Sequence, residues 1–115
     1  MYCQVSEDDL SAFVAYLALG TLEAIRAGTV SPGVGTWTLG RPVTWEPLQQ
    51  AKLVPQEIID VLQQGDELSA LQKIAPHACD AAVGDLIERL HAVLRAMPSP
   101  VWRVEWNRIG PDQAV

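Results

Sequence analysis

Basic residues are scarce where this chain is most acidic. Between residues 54 and 88, Lys73 stands alone against Glu57, Asp60, Asp66, Glu67, Asp80, Asp85 and Glu88. That segment carries the whole of the net charge of −6. A nucleic-acid partner needs a basic face to neutralise its phosphates, so none is expected. An acidic face steers a basic protein partner, and it also serves as ordinary solvated helix surface.

Cysteine is nearly absent. Cys3 and Cys79 cannot make a disulfide framework, and a reducing, cytoplasmic setting is expected. Cys79 reads as a small buried hydrophobe, and its pairing with Cys3 stays open. Long apolar runs are missing too. "AFVAYLALG", residues 12–20, falls well short of the ~20 residues that span a bilayer, so no membrane association is expected. "MYCQVSEDD" carries acids where a secretory leader carries basic residues, so no leader is expected. What is present suffices for a core. The 115 residues are 49% hydrophobic and 19% charged, which fits one packed domain, residues 1–115, with no covalent staple.

Periodicity predicts helices. Ser6 offers a cap, and Glu7, Asp8 and Asp9 favour the positive end of a helix over about 7–27. Leu10, Phe13, Val14, Leu17, Thr21, Ala24 and Ile25 fall at core spacing. Tyr16, Leu19 and Leu22 widen that surface, so this helix is expected to be central and covered on more than one side. Gly28 stops it. Ser31-Pro32 starts a short turn of helix, Arg41-Pro42 breaks the chain, and Thr44-Trp45-Glu46-Pro47 opens a helix through Ala51. Ile58, Ile59 and Leu62 make an apolar stripe after Pro55, and Gly65-Asp66 separates it from "ELSALQKI". A second long helix covers about 77–97, with Ala82, Val83, Leu86, Ile87, Leu90, Leu94 and Met97 on one face.

After Pro98-Ser99-Pro100 the period changes. Trp102, Val104 and Trp106 alternate with Arg103 and Glu105, the pattern of a strand with one covered face. A lone strand needs a partner, and "YCQV", residues 2–5, is the other extended candidate. The expected fold is therefore mainly α: a compact multi-helix bundle with short connecting helices. A small two-stranded antiparallel β pair is expected to join residues 2–5 and 101–106. The rival for that strand is pairing across a homodimer interface.

The segment "SPGVGTWTLGRPVTWEP", residues 31–47, resembles a phosphate loop in its glycines alone. Such a loop follows a strand and brings a lysine or a helix N-terminus to the anion. Here a long helix precedes it, and no lysine occurs before Lys52. It reads as a tight connector whose small residues leave room for Trp37 and Trp45 in the core. Metal chemistry is equally thin. His77 and Asp80 share one helix turn, but His91 lies about four turns away, roughly 21 Å, so one ion cannot reach both histidines. Ser6, Ser31 and Ser69 form no nucleophile elbow, and Asp66-Glu67 read as cap and first-turn charge. No enzyme activity, cofactor or metal is expected.

"ALGTLEAIRAGTVSPGVGTWTLGRPVTWEPL" followed by "VPQEIIDVLQQGDELSAL", about residues 17–72, resembles a family of short bacterial proteins with no assigned biochemical function. The shared plan is a helix ending in a small-residue turn, a "v-S-x-x-x-x-x-x-L" element and an "x-E-L-x-x-L" helix. It carries no catalytic residue. By size and charge alone the chain is also similar to bacterial immunity proteins, which neutralise a cognate toxin. The expected function is a non-enzymatic, acidic protein-binding domain of immunity or antitoxin type. Glu57, Asp60, Asp66, Glu67, Glu88, Trp102 and Trp106 are the candidate contacts for a basic toxin domain. The alternatives are a self-associating module, dimeric through the Trp-rich strand, and a small-ligand binder or enzyme.

Overall fold

The computed structural model describes residues 2–35, 39–98 and 105–107, with backbone alone for 2–4 and 105–107. Its elements run β1 (Tyr2–Gln4), α1 (Glu7–Arg26), α2 (Pro32–Gly35), α3 (Pro42–Gln50), α4 (Gln56–Gly65), α5 (Leu68–Ile74), α6 (Pro76–Ala96) and β2 (Glu105–Asn107). Prolines set several starts. Pro32, Pro42 and Pro76 stand at first helical positions, where a missing N–H costs nothing. The helix expected from Thr44 therefore begins earlier, at Pro42, and keeps Pro47 inside it. Ser6 sits at the cap position of α1, but its hydroxyl donates to the Asp9 carboxylate (3.0 Å) instead of accepting from the backbone.

The hub is α6. It packs on α1, α5 and α4, burying Cys79, Val83, Leu86, Ile87 and Leu90. Helix α4 adds Ile58, Ile59, Val61 and Leu62 to the same core, as its stripe predicts. Helix α1 departs from expectation. Its buried positions are Asp9, Ala12, Val14, Ala15, Ala18 and Leu22, and Leu10, Leu19 and Ile25 pack partly buried against the core, whereas Leu17 of the expected face is 47% exposed. Alanines admit a close approach to α6, and the α1–α6 contact is the most extensive in the bundle. So α1 is covered by α6, α4 and α2 over part of its surface, and not all round. Tyr16 and Leu17 look outward.

The expected β pair over 2–5 and 101–106 is corrected. Six helices make the scaffold, and no β layer contributes to it. Among the described residues the extended termini meet through three residues each, Tyr2–Gln4 antiparallel to Glu105–Asn107, with Cys3 opposite Trp106. Neither segment makes more than marginal contact with a helix. Ladders this short have no stability of their own. The rest of the proposed strand, including Trp102, lies outside the described residues.

Two helices end in the same six-to-one hydrogen-bond motif with different residues at the left-handed position. After α1, Gly28 (φ 77°) donates to Ile25 O (3.0 Å) and Thr29 to Ala24 O (2.9 Å). After α3, Lys52 (φ 54°) donates to Gln49 O (3.1 Å) and Leu53 to Leu48 O (3.0 Å). Glycine adopts that conformation without a Cβ penalty and lysine does not. Lys52→Gly is expected to raise stability by about 1 kcal/mol, read as a higher urea midpoint at unchanged slope.

Candidate partner-binding surfaces

The glycine connector is architectural. Gly35 and Gly40 are both buried. A Cβ on Gly35 would strike the tip of Ile25 on α1. One on Gly40 would lie 2.8 Å from the backbone nitrogen of Asp66 and 3.1 Å from the carbonyl carbon of Gly65. These glycines thus dock the connector onto α1 and onto the α4–α5 turn. Between them lies an apolar cavity of about 20 Å³, lined by Ala18, Leu22, Leu39 and Val61 among others. Small-molecule pockets run to roughly 300–1,000 Å³, so this void is a packing defect by size. Trp45 is half-buried against the core, and its indole N–H donates to Gly40 O (3.1 Å). Trp37 lies outside the described residues.

The acidic candidates divide into three groups. Glu57 and Asp60 share the outward face of α4, opposite its buried stripe. Asp60 accepts a hydrogen bond from Gln56 Nε2 (2.9 Å), and Gln56 Oε1 accepts from Gln49 of α3 (3.4 Å). Asp66 and Glu67 are exposed in the turn that follows, roughly 14 Å along the helix axis from Glu57. Glu88 is exposed on the back of α6. Because α4 and α6 pack through their buried faces, Glu88 points away from Glu57 and Asp60. Trp106 is placed by its pairing opposite Cys3, and Trp102 is among the residues outside the description.

Ion pairing leaves this set alone. Among the described residues the salt bridges are Arg26–Glu23 (2.7 Å) and Arg89–Asp85 (3.0 Å), both on exposed surface. Neither involves Glu57, Asp60, Asp66, Glu67 or Glu88. Cys79 is buried on α6. Burial, with the Asp80 charge beside it, pushes its thiol above the usual value. The thiol is free and lies 3.5 Å from Leu68 O, to which it donates. It is a core side chain, not an activated nucleophile. His77 is exposed, and no cluster of three metal-ligating side chains forms among the described residues. No helix among them is long and apolar enough to cross a membrane.

The family described as protein of unknown function (DUF3969) matches residues 5–108. The chain belongs to this family. The match extends the likeness seen over about residues 17–72 through both long helices. No curated protein and no solved structure matches the chain.

One exposed apolar surface lies outside the candidates named from the sequence. On the outward side of α1, Tyr16 is 46% exposed and Leu17 47% exposed, beside Gly20, Thr21 and Ala24. Val30 and Val34, the latter 51% exposed, form the opposite wall. Together they bound an open groove of about 370 Å³. The signal was present in the sequence as a helix apolar on two sides.

Proposed function

We propose that this member of the family is a non-enzymatic protein-binding domain of immunity or antitoxin type, whose partner is a basic protein domain. The observation that supports the reading is the state of its carboxylates. Glu57, Asp60, Asp66 and Glu67 ride on α4 and the turn after it, exposed or half-exposed, with no cation paired to them among the described residues. Unneutralised acids on a rigid helix raise the encounter rate with a basic surface and repel acidic competitors.

The test is association with the product of the neighbouring gene, measured by stopped-flow at low and high salt. Wild type is expected to associate faster at low salt. The variant Glu57→Gln, Asp60→Asn, Asp66→Asn, Glu67→Gln is expected to lose about tenfold in on-rate and most of the salt dependence. Association that ignores both salt and these four changes contradicts the reading.

A further inference from the structure

We draw no further inference here: the strongest candidate, the exposed apolar groove on the outward side of α1 between Tyr16, Leu17 and the wall of Val30 and Val34, carries none because nothing in the structure shows what covers it.

Discussion

Gly40→Ala is expected to lower the stability of the bundle by about 3 kcal/mol, among the largest losses for a one-carbon change. The reason is what the new methyl meets. It would lie 2.8 Å from the nitrogen of Asp66 and 3.0 Å from its Cα. Both are backbone atoms of the turn between α4 and α5, so no side chain can swing aside. Relief requires the connector to lift from that turn, which also strains the bond from Trp45 Nε1 to Gly40 O. Gly35→Ala is the milder comparison. Its methyl strikes the flexible end of Ile25, which can rotate. Chemical denaturation of both variants checks the order. Equal effects would mean that the connector yields as readily as a side chain does.

That ordering shows how the connector escaped a chemical reading and was still only half understood. The run of Pro and Gly in residues 31–47 says that the chain turns tightly between helices, and it does. Local pattern does not say what each glycine faces. Gly35 and Gly40 are needed for residues remote in sequence, Ile25 and Asp66, and only the packed fold brings those near. The helices of residues 56–96 were legible because each has one apolar stripe and clear punctuation. Pro55, Gly65 and Pro76 mark boundaries, and Ile58, Ile59, Leu86, Ile87 and Leu90 sit where the period puts them.

Helix α1 was legible as a helix and misread as a surface. Its larger apolar side chains, Leu10, Phe13 and Leu17, make the more conspicuous face, yet Leu10 is only partly buried against the core and Leu17 is 47% exposed. Size argues for burial by area alone. Closeness of approach argues the other way, because Ala12, Ala15 and Ala18 let two long helices come together along their length. The closer approach won. The terminal β pair contributes nothing to the core for a related reason. Alternation over 101–106 predicts an exposed and a covered face, but it does not supply a β layer to pack on the helices. Among the described residues the contact joins three residues on each side. Glu57, Asp66, Glu67 and Glu88 are exposed and Asp60 half-buried, yet local pattern does not show that Glu88 faces away from Glu57 and Asp60.

The two faces of the bundle can be separated by one chemical change made twice. Leu90→Ala and Leu17→Ala each delete the same three carbons. Leu90 is 0% exposed at the centre of α6, inside the cluster that joins α1, α4 and α6. Its truncation loses the transfer energy of the side chain and leaves a cavity whose walls include rigid helix backbone. A loss of about 3–4 kcal/mol is expected. Leu17 is 47% exposed on the outward face of α1, so much of its area is already in water. Alanine also favours the helix slightly, and the loss should be under about 1 kcal/mol. Chemical denaturation of the two variants checks the difference. If instead the two truncations cost the same, Leu17 is a core residue and the outward assignment of α1 fails.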